Sequence, residues 1–385
     1  MQRLINSPIG EVVPTLDGHR AFVPNPLPRQ LSLAPKLVTS LDRSTHAVGL
    51  LAGVGETIPN PRLLIRPLMR REATLSSRIE GTVSSLSDIL ESEVGGRPRY
   101  EDDTQEVVNY VRALQHGIDS LWRLPISFRL VNEMHAILMR SVRGEDKSPG
   151  EFRDNQVYIG PLGSRITAAR YVPPPPERVR DLFHDLENFV NDRESALPPL
   201  IQCALMHYQF EAIHPYRDGN GRMGRLLIPF FLQERDLIPV PLLYLSAYFE
   251  RDRQRYYDEL LNVSMTGDWD QWLLYFLEGV ETEARDTVAR VRRLRSLQDE
   301  WRTLLQERRE SVNCVRLLDE ICAQPVITAR RAAEFLGVTG VGARRMLDRL
   351  CDAGILRRST RNRPNLYTAE RLIEELERPL ALTDE

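Results

Sequence analysis

Apolar side chains recur every three or four positions along much of this chain, the spacing that puts them on one face of an α-helix. The pattern predicts a helical stretch from about residue 61 to residue 93. Further helices are predicted over 37–51, 104–121, 126–142, 177–191, 199–213, 221–235 and 268–309. We therefore expect a mainly α protein built around a helical bundle.

Residues 143–178 interrupt this pattern with glycines and with four consecutive prolines, Pro173–Pro176. Two short strand-like stretches lie between them, at 156–159 and 170–172, and they predict a β-hairpin flap. A long loop inside a compact helical domain is often functional.

Residues 311–385 have the pattern of a separate domain. Helices are predicted over 315–322, 329–336 and 339–353, followed by short strands at 355–358 and 365–368. Thr328 suits the N-cap of the second helix, and Gly337 suits its C-terminal end. This order of helices and a final hairpin predicts a winged helix-turn-helix.

The chain of 385 residues thus divides into four predicted segments. An N-terminal region (1–100) holds a Pro- and Gly-rich extended strap and the helical stretch 61–93. A helical core follows at 101–280, a linker helix at 281–310 and the C-terminal domain at 311–385. The linker helix is charged with an apolar stripe, which is typical of a helix with one solvated face and one core face. It could also join two domains or pair with its own copy in a homodimer.

Composition narrows the possible functions. A hydrophobic fraction of 42% supports a sizeable core, and a net charge of -3 disfavours polyanion binding over the whole surface. No apolar run reaches the roughly 20 residues that span a bilayer. Because a signal-peptide core is also missing, we expect a cytoplasmic protein with no membrane partner. Zinc is disfavoured because no CxxC spacing occurs among Cys203, Cys314, Cys322 and Cys351.

The run from His214 to Arg225, HPYRDGNGRMGR, holds the most informative chemistry. Its glycines let backbone N–H groups approach an anion closely, and the helix that begins there attracts phosphate at its N-terminus. Arg222 and Arg225 share a helix face and suit bidentate contacts to phosphate oxygens. Asp218 offers a hard oxygen ligand for Mg²⁺, and His214 offers a general base. Together these residues indicate phosphoryl or nucleotidyl transfer.

Neither a dinucleotide site nor a Walker-type loop fits this run. The stretch 219–224 fits GxGxxG by letter, but a helix precedes it where a dinucleotide fold requires a strand. A G-x-x-x-x-G-K-[ST] sequence is absent from the chain, which excludes a Walker-type loop. A plain helix–turn–helix corner with solvated arginines would account for a lone histidine, but not for the joint occurrence of all these residues.

The same run resembles the Fic family, whose loop has the pattern H-x-F-x-[DE]-G-N-G-R-x-x-R. The one departure is Tyr216 in place of phenylalanine, which should be tolerated if its hydroxyl finds a partner. The resemblance implies a protein adenylyltransferase that moves AMP from ATP to a Ser, Thr or Tyr hydroxyl of a target protein, with self-modification expected. His214 would take the hydroxyl proton, and Asp218 would hold Mg²⁺. The phosphates would be bound by Gly219, Asn220, Gly221, Arg222 and Arg225.

Two further segments resemble parts of the same family. Residues 150–176 match its target-positioning flap, whose edge would pair with an extended target segment through Val157, Tyr158 and Ile159. Upstream, the family's autoinhibitory motif, [ST]-x-x-x-E-[GN], is matched by Ser76, Glu80 and Gly81.

The resemblance implies that Glu80 restrains the enzyme. With Ser76 and Glu80 four residues apart on one helix face, Glu80 would pair with Arg225 and deny the γ-phosphate of ATP its partner. In some relatives the same glutamate positions water for removing AMP, so the reverse reaction is left open.

Arginines concentrate in the predicted winged helix, where residues 341–363 hold seven arginines against two aspartates. A recognition helix and a basic wing suit DNA phosphates, although many such domains only contact proteins. The residues concerned are Arg344, Arg345, Arg357 and Arg358. Two alternatives to the adenylyltransferase stay open: a DNA-binding regulator that only senses nucleotide, and transfer of another phosphate-containing group, because a fold does not fix its substrate.

Overall fold

The computed structural model describes residues 4–56, 62–96, 99–121, 123–161, 163–359 and 365–379. They form two compact units, each assembled from two separate stretches of chain. The first unit consists of Met1–Ala52 and Asn109–Ala284, and the second of Gly53–Val108 and Arg285–Glu385. The tip of the predicted basic wing, 360–364, lies outside the described residues.

The secondary structure is mainly helical, as predicted. The helices are α1 (Pro35–Glu56), α2 (Arg62–Ile79), α3 (Leu86–Glu93), α4 (Glu101–Ser120), α5 (Phe128–Leu138), α6 (Pro176–Val190), α7 (Pro199–Ile213), α8 (Asn220–Glu234), α9 (Ser246–Arg251), α10 (Arg253–Thr266), α11 (Trp269–Glu307), α12 (Val312–Ala323), α13 (Ala329–Leu336), α14 (Gly340–Asp352) and α15 (Glu370–Glu377). The strands are β1 (Gly10–Pro14), β2 (Arg20–Pro24), β3 (Val326–Thr328), β4 (Arg357–Ser359) and β5 (Leu366–Thr368).

Helix α7 lies in the core of the first unit. It is apolar around most of its circumference and almost wholly buried, which is the pattern of an enclosed helix. Helices α6 and α8 pack against it, and the indole N–H of Trp272 donates a hydrogen bond to the carbonyl of Ala204 across 3.0 Å. This enclosed helix ends at Ile213, so the core itself fixes where His214 emerges.

In the second unit, α2 packs against α12 and α15. Arg70 of α2 is 7% exposed, and its Nε donates to both carboxylate oxygens of Glu93 at 2.9 Å. Its terminal nitrogens donate to the carbonyl of Ala323 at 3.2 Å and to Oε1 of Gln324 at 2.7 Å. Because a buried guanidinium must have its donors satisfied, Arg70 holds α2, α3 and the end of α12 together.

A second buried arginine caps α15 in the same unit. Arg290 forms an ion pair with Asp286 at 2.7 Å, and both side chains are almost completely buried. Its guanidinium also donates to the carbonyls of Glu375, Leu376 and Arg378 at 2.8, 2.5 and 2.9 Å. The last carbonyls of a helix have no intrahelical partner, so Arg290 fastens the end of α15 to α11.

The predicted helices are largely confirmed, and α7 and α13 have the predicted bounds. The missed elements are the 14-residue helix α10 and several short ones, namely β3, α9, α15 and the β1–β2 hairpin that stands in place of the extended strap. Short elements are stabilised mainly by tertiary partners and carry little pattern of their own. The N–H of Phe22 on β2, for example, donates to the carbonyl of Val172 across 2.9 Å.

The helical stretch predicted over 61–93 is wrong in one respect, because it is two helices, α2 and α3. Ser85 begins α3 with a capping box: its Oγ accepts the N–H of Asp88 at 3.1 Å, and the Asp88 carboxylate accepts the N–H of Ser85 at 2.9 Å. These reciprocal bonds satisfy the free N–H groups of a new helix start. The apolar periodicity alone does not reveal this break.

Among the helices that the structure describes, none is both long and apolar enough to cross a bilayer. All four cysteines are free thiols, and Cys203, Cys314 and Cys322 are buried. Within the described ranges, no three or more His, Cys, Asp or Glu side chains are arranged to hold a metal ion.

Replacing Arg70 tests how strongly α2 depends on the C-terminal helices. We expect Arg70→Met to lower the free energy of unfolding of the second unit by roughly 2–4 kcal/mol, because Glu93 and Gln324 would lose a partly buried cation. Urea denaturation and hydrogen exchange of α2 peptides measure the effect. Arg66→Met, an exposed arginine on the same helix, is the matched control, and equal losses in the two variants would contradict this role.

Candidate functional site

The C-terminal end of α7 sets the position of His214. His214 has left-handed backbone angles, φ 51° and ψ 63°, and its N–H still bonds to the carbonyl of Phe210 at 2.9 Å. This conformation is uncommon for a non-glycine residue and turns the chain sharply out of the helix. The partly exposed His214 therefore stands at a fixed point where the buried helix meets solvent.

Arg153 secures this turn from the other side. It is 2% exposed, and its Nε donates to the His214 carbonyl at 2.8 Å, while its backbone N–H donates to the carbonyl of Pro215 at 2.9 Å. Its terminal nitrogens reach the carbonyls of Asn155 and Pro174 at 3.2 and 2.5 Å. Burial lowers the pKa of Arg153 to about 10, so the guanidinium stays charged at neutral pH.

Asn220 closes the loop on itself. Its Oδ1 accepts the N–H of Tyr216 and its Nδ2 donates to the Tyr216 carbonyl, each across 2.8 Å. The Tyr216 ring is fully buried and stacks on His135 with 3.7 Å between ring centroids. Its hydroxyl donates to Oδ1 of Asn132 at 2.6 Å, which is the partner that a tyrosine at this position requires.

Gly219 joins the loop to α8. It has φ 76° and ψ 6°, and a Cβ at this position would lie 2.7 Å from Sδ of Met139. Glycine alone meets both demands without strain. Asn220 and Gly221 form the first residues of α8, where backbone N–H groups lack intrahelical acceptors and favour an anion.

Arg222 and Arg225 both lie in the first turns of α8, and both are buried, at 4% and 2% exposure. A terminal nitrogen of Arg222 lies 3.9 Å from Oδ1 of Asp218 and 3.5 Å from Sδ of Met139. Two buried guanidinium groups beside a helix N-terminus create a strongly positive environment.

Asp218 lies near Arg222 and forms an ion pair with Lys147. Its Oδ1 accepts the N–H of Gly219 and its Oδ2 accepts from Nζ of Lys147, each at 2.7 Å. Burial alone would raise the pKa of Asp218, but Lys147, Arg222 and the Gly219 N–H together hold it below its usual value. The carboxylate is thus ionised at neutral pH.

His135 on α5 links the loop to the start of the flap. Its Nδ1 accepts the N–H of Gly150 at 2.9 Å, so its Nε2 carries the proton and donates to the Asp218 carbonyl at 3.0 Å. Burial lowers the pKa of His135 to about 4. The ring is therefore neutral in the physiological range and holds both backbone groups.

The flap is less regular than the sequence predicts. Its two strands reduce to one bridge, in which Ile159 and Tyr171 exchange N–H···O bonds of 2.8 and 3.1 Å. The Tyr171 hydroxyl anchors the flap on the Ala212 carbonyl at 2.9 Å. Tyr158 and Ile159 are 41% and 36% exposed and Val157 is half-buried, so the flap presents an edge to solvent. Leu162 lies outside the described residues.

The upstream motif belongs to the second unit. Ser76 is fully buried in the last turn of α2, whereas Glu80 lies just past the helix and is exposed, followed by Gly81 with φ 98°. Helix α2 ends at Ile79, one residue before Glu80, and the Glu80 N–H bonds to the Ser77 carbonyl at 3.0 Å. That Ser76 and Glu80 share a face stays a prediction.

The C-terminal arginines differ from one another in their surroundings. Arg344 and Arg345 are exposed on α14. Arg357 is paired with Glu370 at 3.0 Å, and Arg358 lies 3.7 Å from Asp348.

Three residues that hold this site together carry no clear signal in the sequence: Arg153, His135 and Lys147. In the sequence, Arg153 is noticed only as part of the flap pattern. His135 lies in an amphipathic helix, where a histidine is unremarkable. Lys147 is one of only two lysines in the chain, and that rarity is the single available clue.

Known proteins are similar to this region in both sequence and fold. Residues 38–119 match the Fic/DOC family N-terminal region, and residues 125–232 match the Fic/DOC family. The protein adenylyltransferase Fic of Drosophila virilis is 30% identical over 195 residues, which are 49% of this chain and 36% of that protein. The corresponding protein of Drosophila willistoni is 31% identical with the same coverage. The match thus spans well under half of these relatives.

Two solved structures share the fold. A Fic family protein from Desulfovibrio desulfuricans G20 has a TM-score of 0.56 at 19% identity, covering 88% of this chain and 97% of that one. Fic-1 from C. elegans has a TM-score of 0.53 at 23% identity, covering 66% of this chain and 74% of that one. The predicted Fic bundle is thereby confirmed as a fold.

A further buried histidine, on α7, makes the stability of the fold depend on pH. His207 on α7 is fully buried, with Nδ1 3.1 Å from the Gly224 carbonyl and Nε2 2.8 Å from the Tyr256 hydroxyl. Burial lowers the pKa of His207 to about 3. The unfolded chain binds this proton below about pH 6.5, whereas the folded chain does not. The stability that buried, neutral His207 contributes is therefore fully present above pH 6.5 and is lost as the pH falls toward 3.

We therefore expect unfolding free energy to fall by up to about 1.4 kcal/mol per pH unit through this histidine below pH 6.5. Urea denaturation between pH 7.5 and 4.5 should give a shallower pH slope for His207→Gln than for the wild type. His184→Gln, an exposed histidine on α6, should keep the wild-type slope. A wild-type slope in His207→Gln would contradict the assignment.

Proposed function

Residues 38–119 and 125–232 of this chain belong to the Fic/DOC family, and we propose that the chain is a protein adenylyltransferase, which transfers AMP from ATP to a protein hydroxyl. One observation carries the proposal. The His214–Arg225 loop joins a histidine at the end of a buried helix to an ionised carboxylate and to a helix N-terminus with two arginines.

His214 is the general base of this proposal. It accepts the proton of a Ser, Thr or Tyr hydroxyl of the target while that oxygen attacks the α-phosphorus of ATP. The bond from the α-phosphorus to the bridging oxygen breaks, and pyrophosphate leaves with the electron pair. The left-handed turn and Arg153 fix the histidine backbone before substrate binds, so little reorganisation is needed at the moment of reaction.

The N-terminal end of α8 binds the phosphates. Asn220 and Gly221 supply backbone N–H groups for an anion, and the Gly219 N–H would join them once it leaves Oδ1 of Asp218. Arg222 and Arg225 supply charge that is stronger because it is buried. The loop is held in shape by the Asn220 bonds to Tyr216. Positioning and charge stabilisation are the main contributions of a protein to this type of transfer.

Asp218 suits Mg²⁺ as the single protein ligand. Its carboxylate is ionised and its side chain is 35% exposed, and carboxylate oxygen is a preferred ligand of this ion. No cluster of three acidic, histidine or cysteine side chains surrounds it in the described chain, so phosphates and water would complete the coordination, as is usual for Mg²⁺. When bound, the ion neutralises charge on the phosphate oxygens.

The flap positions the target. Val157, Tyr158 and Ile159 lie on its outer part beside the Ile159–Tyr171 bridge, where an extended segment of the target, or of a second copy of this chain, would add as a strand. The anchor from Tyr171 to Ala212 ties this edge to the helix that ends at His214. The target hydroxyl would thereby be brought to the base.

Glu80 restrains the transfer in this proposal by competing with the γ-phosphate for Arg225. The proposal is supported by the motif Ser76–Gly81 and by the exposure of Glu80 at the end of α2. The same carboxylate would also direct water in a reverse reaction that removes AMP.

Labelled ATP distinguishes these roles. With Mg²⁺ and ATP labelled at the α-phosphate, we expect self-labelling to rise several-fold in Glu80→Gly. We expect it to fall at least about a hundredfold in His214→Ala, because general base catalysis contributes 10²–10⁴ in rate. Labelling is measured by autoradiography of the purified chain.

Matched variants control for disturbance of the fold. His184→Ala and Glu56→Gly change exposed residues of the same types and should label like the wild type. Labelling that survives in His214→Ala would refute the assigned base, and equal labelling of Glu80→Gly and wild type would remove the inhibition.

The C-terminal helices support a second proposal, a winged helix-turn-helix that contacts DNA. Helices α12, α13 and α14 accompany a sheet of order β3-β5-β4, in which β3 joins α12 to α13 and the β4–β5 hairpin follows α14. Helix α14 presents Arg344 and Arg345 together with Val341, which is 65% exposed. A basic helix face with an apolar side chain suits the major groove.

A gel shift with random duplex DNA at low salt tests this second proposal. We expect the pair Arg344→Ala and Arg345→Ala to weaken binding about tenfold or more, since each arginine contributes to phosphate neutralisation. The pair Arg357→Ala and Arg358→Ala should weaken it less, because Glu370 and Asp348 already balance those charges. No shift with the wild type would point to protein contacts instead.

A further inference from the structure

Both oxygens of the Asp218 carboxylate already have a donor from the protein. The Gly219 N–H occupies Oδ1, and the Lys147 ammonium occupies Oδ2, each at 2.7 Å. The side chains of Lys147 and Asp218 are 44% and 35% exposed, so the pair lies at the solvent boundary of the site. A metal ion that binds Oδ2 would need the place that the ammonium fills.

The loop that carries Lys147 is built around Asp218. Gly144 has φ 88°, and a Cβ there would lie 2.9 Å from Oδ2 of Asp218, so the backbone passes as close to the carboxylate as glycine permits. The Lys147 N–H donates to the Gly144 carbonyl at 2.9 Å. At the far end of the loop, His135 joins the Gly150 N–H to the Asp218 carbonyl. Backbone contacts at Gly144 and Gly150, on either side of Lys147, therefore hold the loop that brings this side chain to Asp218.

The choice of lysine at this position is unusual for this chain. Of its 51 lysine and arginine residues, only Lys36 and Lys147 are lysines. An ammonium is a compact, strongly hydrated point charge, whereas a guanidinium is a planar fork. A compact cation on a flexible stem can fill the place of a small metal ion and can also leave it.

We infer that Lys147 holds the metal position at Asp218 in the nucleotide-free enzyme and is displaced when Mg²⁺ binds together with nucleotide. The ammonium balances the charge of Asp218 until the ion arrives, and it weakens metal binding by competition. The inference rests on the proposed role of Asp218 as the metal ligand. It adds Lys147 to the residues that determine how tightly the site binds a metal ion.

Metal affinity can be measured without turnover by using Mn²⁺ and α,β-methylene-ATP, followed by electron paramagnetic resonance of free Mn²⁺. We expect Lys147→Met to lower the Kd for Mn²⁺ about two- to fivefold, the effect of a half-exposed ion pair. Lys147→Arg keeps the charge but not the compact shape, so its Kd should lie between those of the wild type and of Lys147→Met. Lys36→Met, which removes the exposed lysine of α1, should not change the Kd.

The outcomes separate this inference from the proposed function. If Lys147→Met binds Mn²⁺ no more tightly than the wild type does, while the nucleotide still binds, only the inferred competition is overturned. If neither Mn²⁺ nor the ATP analogue binds any variant, both the proposed function and the inference fail.

Amine labelling of the wild-type chain gives a second test, because two lysines can be resolved by mass spectrometry. Mg²⁺ with α,β-methylene-ATP should raise modification of Lys147 relative to Lys36, since the ammonium leaves the carboxylate. The analogue with EDTA in place of Mg²⁺ should leave that ratio unchanged. Protection of Lys147 by Mg²⁺ and the analogue would mean that it binds the phosphates, which contradicts the inference.

Discussion

The pair of hydrogen bonds between the Asn220 side chain and the backbone of Tyr216 is the constraint on which the site depends. An amide can donate and accept at once, so one buried residue satisfies both backbone groups of a tight loop. The loop then leaves α7 at a fixed angle and enters α8 at Gly219. Without that closure His214, the Asp218 carboxylate and the N-terminus of α8 would have no common geometry.

Buried cations fasten the backbone elsewhere in the chain by the same principle. Arg153 gathers carbonyls around His214, Arg70 joins α2 to the end of α12, and Arg290 caps α15. A planar guanidinium suits this work because its donors reach several acceptors in fixed directions. Helix α2, which leads into Glu80, packs against α12 and α15 within one compact unit. The proposed restraint by Glu80 would therefore depend on the packing of the C-terminal helices.

Charge is arranged around Asp218 so that the carboxylate stays ionised before any ligand binds. Arg222, Lys147 and the Gly219 N–H surround it, while the neutral His135 holds its backbone carbonyl. A partly buried carboxylate is costly without a counter-charge, and the Lys147 ammonium provides one at 2.7 Å, which in the inferred competition a metal ion would replace. The proposed chemistry and the inferred competition both follow from this arrangement.

The sequence by itself determined the class of fold, the bounds of the strongly periodic helices and the identity of the loop. Periodicity is a local property, and the loop residues are contiguous, so both can be seen along the chain. Only the tertiary structure decided which distant residues support the loop. Arg153, His135 and Lys147 are separated from it by some 60 to 80 residues, and no local pattern records such contacts. It also decided that α2 ends before Glu80 and that a reciprocal cap at Ser85 begins α3, although the apolar period continues through the break.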